Sequence, residues 1–163
     1  MGTAKEMFPF IVLLVSLALW RPAAAGPGAP GHTHDHGFSA GEPGDPKKPA
    51  RVVQVAMREA GRKLSFEPNR VEVRKGEQIR FVIENDGIYD HEFVLATPKE
   101  NARHAEVMKK FPEMEHDDPN AKRVSPYTIG EILWRFTKPG VFEFACLIPG
   151  HREAGMTGKV IVK

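Results

Sequence analysis

The chain is poor in cysteine. Its 163 residues hold one, Cys146, so no disulfide within the chain can staple the fold and the core must form by burial alone. It also lacks an excess of charge. Against 21 acidic residues stand 23 lysines and arginines, a net charge of +2, and that balance gives no argument for nucleic acid or an anionic surface as partner. A long hydrophobic run is missing too. The apolar stretch from Met7 to Trp20 falls short of the roughly 20 residues that a membrane span needs. No internal repeat is present.

That short apolar run has another reading. Lys5 precedes it and Ala23-Ala24-Ala25 follows it, the order of an export signal with a small-residue cleavage site. We expect residues 1–25 to be this signal, with an uncleaved anchor as the alternative, and the mature chain to be periplasmic or secreted. Its loss would remove Lys5, Glu6 and Arg21 and leave a net charge of about +1. Outside the cytoplasm a lone thiol is open to oxidation unless it is buried or bound. Cys146 therefore needs a reason to exist.

Residues 26–50 are rich in Gly and Pro and poor in large side chains. Such a stretch buries too little to offset its ordering entropy, and it reads as a flexible leader carrying His32, His34 and His36. The domain is expected over 51–163. Short runs of alternating apolar residues recur through it, among them "VVQVAM", "RVEV", "QIRFVIEN", "HEFVLA", "EILWRF", "VFEFAC" and "KVIVK". Period-two alternation between turn signals predicts half-buried strands in an antiparallel β-sandwich. An insert over 98–126 interrupts them. Pro98 opens and Pro112 closes a predicted helix over 98–111, with Val107, Met108 and Phe111 inward, and a polar loop follows.

Cys146 ends one predicted strand. His151 lies five residues on and Met156 five further, across Pro149-Gly150. A thiolate, imidazoles and a weak axial thioether are the donors of type 1 copper. The loop supplies three of these, and His91, at the start of "HEFVLA" after the turn at Asp86-Gly87, is the candidate for the second imidazole. We expect His91 to be buried, with its other ring nitrogen held by a hydrogen-bond acceptor. His151 should lie nearer the surface among Ile88, Ile148 and Pro149. Other readings were weighed. A buried apolar cysteine leaves the His and Met spacing unexplained. A nucleophile–base pair of Cys146 and His151 leaves Met156 without a role. Structural zinc calls for more cysteines or histidines. A dinuclear copper site needs a second cysteine, and a multicopper oxidase needs several His-x-His runs in a longer chain.

The loop Cys146, Pro149-Gly150-His151, Met156 resembles the copper-binding loop of the cupredoxin family. The stretch "FEPNRVEVRKGEQIRFVIEND" is similar to the family's early strands, with Phe66, Pro68, Val71, Val73, Gly76, Ile79, Phe81 and Asn85 in the pattern. The resemblance covers residues 52–163. It implies an all-β Greek-key sandwich of eight strands with one short helical insert, and one type 1 copper held by His91, Cys146, His151 and Met156. Glu92 stands after His91 where many members have Asn. The His-rich leader and the "EMEHDDPN" segment narrow the likeness to small exported cupredoxins associated with copper resistance.

Two functions fit these residues. One is a copper-tolerance protein that cycles copper between Cu(I) and Cu(II) by one-electron transfer. The other is a diffusible electron carrier without a copper-handling role. No residue set supports turnover of an organic molecule, so a redox metalloprotein rather than an enzyme is expected, with Cu(I) oxidation the one activity to consider. The expected partners are a redox protein docking near His151 and a copper donor or acceptor. Nucleic acid and a membrane span are not expected, and the mature chain is expected to be a monomer. His32, His34 and His36, with His104, Met108, Met114 and His116 of the insert, are candidates for secondary metal binding. For the helix, apolar packing is the simpler account.

Overall fold

In the computed structural model the described residues are 38–112 and 118–163. The export segment, His32, His34, His36, Met114 and His116 lie outside them. The described chain forms β1 (Glu42–Pro43), β2 (Arg51–Ala60), β3 (Lys63–Glu67), β4 (Arg70–Val73), β5 (Gln78–Asn85) and β6 (His91–Ala96). There follow α1 (Pro98–Met108), β7 (Ala121–Val124), β8 (Ile129–Arg135), β9 (Gly140–Ala145) and β10 (Thr157–Val162). Two five-stranded sheets result, in the orders β1-β8-β5-β2-β3 and β4-β10-β9-β6-β7.

Alternation sets the inner faces. Val53, Val55 and Met57 of β2 are buried, as are Ile79, Phe81 and Ile83 of β5 and Val160 and Val162 of β10. Aromatic rings fill the space between the sheets. Phe66 and Phe81 come from one sheet, Phe93 and Phe144 from the other. Phe93 stacks on Phe144 with centroids 4.9 Å apart and meets Phe66 at 5.7 Å and Phe81 at 5.2 Å. The expected sandwich is present. Most strand pairs are antiparallel, but β2 runs parallel to β5 and β4 to β10. Alternation specifies which residues face inward, not the direction of the neighbouring strand. Ten strands stand where the resemblance implied eight.

Three boundaries differ from expectation. The domain begins before residue 51: β1 pairs with β8, Ala40 is buried in the core, and Phe38 packs edge-on against Trp134. Trp134 Nε1 donates to the Ala40 carbonyl at 3.1 Å. Two small anchoring contacts outweigh a composition that reads as mobile. The end of the insert is also sheet, since β7 pairs with β6. The helix stops at Met108, and its inward residues are Asn101, Ala105 and Met108. Val107 and Phe111 are 39% and 60% exposed. Thr97 explains the phase: it caps α1 in a reciprocal capping box with Glu100, with Pro98 in the first turn.

Beneath α1, period two fails for a physical reason. His91 through Leu95 are all buried, because one face of β6 meets the sandwich core and Val94, on the other, packs with Ala105, Met108, Ala145 and Leu147.

Candidate metal centre

The site is built where β6 begins and β9 ends. The last ladder pair of β9 and β10 is Ala145 with Thr157. One step beyond, the Cys146 N–H donates to the Met156 carbonyl at 3.1 Å. The ladder thus closes the loop that runs between these two residues. Inside it, His151 N–H donates to Ile148 O at 3.0 Å, Ala154 N–H to Gly150 O at 3.0 Å and Met156 N–H to His151 O at 3.1 Å. Gly150 takes φ +88°, a conformation that glycine adopts without strain.

From the other side, the antiparallel pairing of β6 with β9 brings His91 over this loop. His91 Nδ1 lies 3.1 Å from His151 Nδ1. Cys146 Sγ lies 3.4 Å from the same His151 nitrogen. The three donor atoms all fall within 4.8 Å of one another, and among the described residues no other such group of His, Cys, Asp or Glu occurs. His91 and Cys146 are buried, and His151 is half-buried. Met156 is fully buried in the same core cluster as Cys146.

The electrostatics fit a metal ion. Burial pushes the Cys146 thiol up to about 12, although the Glu92 and Ile148 N–H groups work the other way. A thiolate in such a place needs a positive charge beside it, which a coordinated cation supplies. Burial, then the neighbouring His91 ring, hold His151 below the ordinary imidazole value, which favours the neutral form that can ligate. One soft sulfur with two imidazole nitrogens is a donor set suited to copper.

Of the neighbours that hold these donors, the sequence marks Glu92 only as a departure from the family pattern, and sequence reading did not identify Glu59. The Glu92 N–H donates to Cys146 Sγ at 3.3 Å. Its carboxyl accepts from the Leu147 N–H, and burial raises its pKa. Glu92 is 4% exposed, so this residue, standing where many family members have Asn, still joins strand to ligand loop. His91 Nε2 lies 3.0 Å from Glu59 Oε1. Burial opposes ionisation of Glu59, yet N–H groups of Tyr89 and Ile88 and the His91 ring outweigh it and hold the carboxyl below its usual range. Glu59 lies past the expected strand "VVQVAM". The available signal was that Val53, Val55 and Met57 carry their alternation on to position 59.

The secondary candidates fare differently. Met108 is fully buried among apolar residues of the helix contact. His104 is half-buried and belongs to no cluster of metal-ligating groups among the described residues. Ile88 is 60% exposed, Pro149 is exposed and Ile148 half-buried. No described helix is long and apolar enough to cross a membrane.

Residues 53–163 match the family described as copper binding proteins, plastocyanin/azurin family. The copper-resistant cuproprotein CopI of Rubrivivax gelatinosus is 50% identical over 132 residues, 81% of this chain and 78% of that protein. The CopI of Vibrio cholerae is 35% identical over 120 residues, 74% of this chain and 70% of that protein. Among solved structures, auracyanin B superposes with a TM-score of 0.61 at 21% identity, covering 76% of this chain and 96% of its own. Reduced auracyanin from Roseiflexus castenholzii gives 0.58 at 20%, over 70% and 98%. At these identities the solved structures establish the fold.

Proposed function

The chain belongs to the plastocyanin/azurin family of copper-binding proteins, and from that premise we propose that it is an exported redox protein of copper tolerance. It would cycle copper between Cu(I) and Cu(II) by one-electron transfer. The observation that carries this reading is the convergence of His91 Nδ1, His151 Nδ1 and Cys146 Sγ within 4.8 Å at one end of the sandwich. Relatives named copper-resistant cuproprotein support the tolerance role. Residues 1–25, read as an export signal, support the location.

In this reading His91, Cys146 and His151 would hold the copper, with Met156 as a weaker thioether donor. Bound copper supplies a one-electron couple, and the soft sulfur beside two imidazoles suits both oxidation states. The chain supplies rigidity. The loop bonds and the Cys146–Met156 backbone pair fix two donors, and the Glu92 N–H fixes the sulfur. His151 is the route to solvent. A second reading, a diffusible electron carrier, is favoured by the exposed Ile88 and Tyr89, 60% and 58%. Weak redox encounters use small, partly apolar contacts of this kind.

The test is the visible spectrum after addition of Cu(II), beside a Cys146→Ser control. An intense thiolate-to-copper band lost in the control is expected, and a pale spectrum in both would refute the copper assignment. Growth under copper stress separates the roles. A deletion strain more sensitive than its parent is expected for tolerance, and equal growth would leave the carrier.

A further inference from the structure

Glu59 stands outside the ligand set, yet the end of the molecule is shaped around its carboxylate. Oε1 accepts the Tyr89 N–H at 3.0 Å and lies 3.0 Å from His91 Nε2. Its strand belongs to one sheet and His91 to the other, so this hydrogen bond ties the sheets together at the metal centre. A Cβ on Gly87 would stand 1.9 Å from Glu59 Oε1. A side chain at residue 87 would thus displace the carboxylate. Asn85 holds that turn in place: its Oδ1 accepts the Gly87 N–H at 2.9 Å, and its Nδ2 donates to Tyr89 O at 2.8 Å and Val124 O at 2.9 Å.

An ordinary loop clasp would explain the bond to Tyr89. It would not explain why the carboxylate also meets the ring of a metal-site histidine. A carboxylate only accepts, so Nε2–H of His91 is the donor to Glu59, and a metal-binding ring then offers its lone pair from Nδ1. Nδ1 is the atom that faces His151 and Cys146.

We infer that Glu59 is the positioning residue for His91, and that its charge biases the site toward Cu(II). It fixes the ring with Nδ1 toward the metal, and a negative acceptor on Nε2 makes the imidazole a stronger donor. The inference rests on the copper reading above.

Four proteins test it: the parent, Glu59→Gln, Glu59→Ala and Gly87→Ala. Three readouts apply: the His91 Nε2–H resonance of the copper-free form, the electron paramagnetic resonance of the Cu(II) form, and the ratio of Cu(II) to Cu(I) affinity by chelator competition. Glu59→Gln is nearly isosteric and can keep the acceptor without the charge. It should retain the resonance and the Cu(II) spectrum, while the affinity ratio falls about tenfold. Glu59→Ala should lose the resonance, broaden the spectrum and lower Cu(II) affinity by about 10–100-fold. Gly87→Ala, which touches no ligand, should shift in the same direction by displacing the carboxylate. A Glu59→Gln protein with the parent's ratio, or a Glu59→Ala protein with the parent's spectrum and ratio, would overturn the inference alone. A parent with the Nε2–H resonance but no thiolate–copper band would overturn the copper reading, and this inference with it.

Discussion

At the scale of single residues, Cys146 combines the chemistry of the centre with the packing of the core. With its folded pKa raised to about 12 from an ordinary 9.0, the unfolded chain loses the thiol proton first. The contribution of Cys146 to the stability of the copper-free protein is therefore full below about pH 9 and is lost as pH climbs toward 12. The native thiol should resist iodoacetamide at about pH 8, where the unfolded chain reacts readily; comparable rates would place it in solvent. Met156 makes a separate test. Met156→Gln should keep copper and lower the reduction potential, and an unchanged potential would remove Met156 from the axial position. The grouping of His91 with Cys146 and His151 was legible because spacing and donor chemistry narrow the choices for soft metal ligation. Glu59 was not, because a charged residue at an inward position looks like the end of a strand. Only the partner sheet shows that it continues into the site.

At the scale of elements, the N-terminal end of α1 behaves as its sequence dictates. Thr97→Ala removes the capping box and should cost about 1 kcal/mol, measured by denaturant unfolding. Loss of the cap should leave the copper spectrum unchanged, since Thr97 touches neither ligand loop. Phe93→Ala belongs at the other extreme. It removes a ring packed against Phe66, Phe81 and Phe144 and should cost about 3–5 kcal/mol. The strands were readable from alternation, and β6 shows the limit of that reading: a helix on the outer face erases the period. Helix phase differs from what the apolar residues at 107 and 111 suggest, since Asn101, Ala105 and Met108 take the inward face. The cap at Thr97 sets the start, and the buried polar residue Asn101, which donates to Val94 O and Glu143 O, takes an inward place that hydropathy would not assign.

At the scale of the whole molecule, the N-terminal boundary decides which truncations are safe. Extending a deletion from residue 37 to residue 50 strips Phe38 and Ala40 from Trp134 and leaves its indole N–H without the Ala40 acceptor. The longer deletion should lower the melting temperature of the shorter one by several degrees, and equal melting would mean that β1 adds nothing. The residues of the site also come from widely separated parts of the chain: His91 on β6 and Cys146 with His151 after β9 as candidate donors, and Glu59 on β2 against the His91 ring. No local segment brings them together, and loop closure over such distances is rewarded only once both sheets have met. Copper capture is then a late event in the life of the chain. Blue or green colour would report completed folding, rising with the burial of Trp134 and not before it. A chain that has not yet folded would keep His91 apart from Cys146 and His151, and would gain its binding site only with the closing of the two sheets.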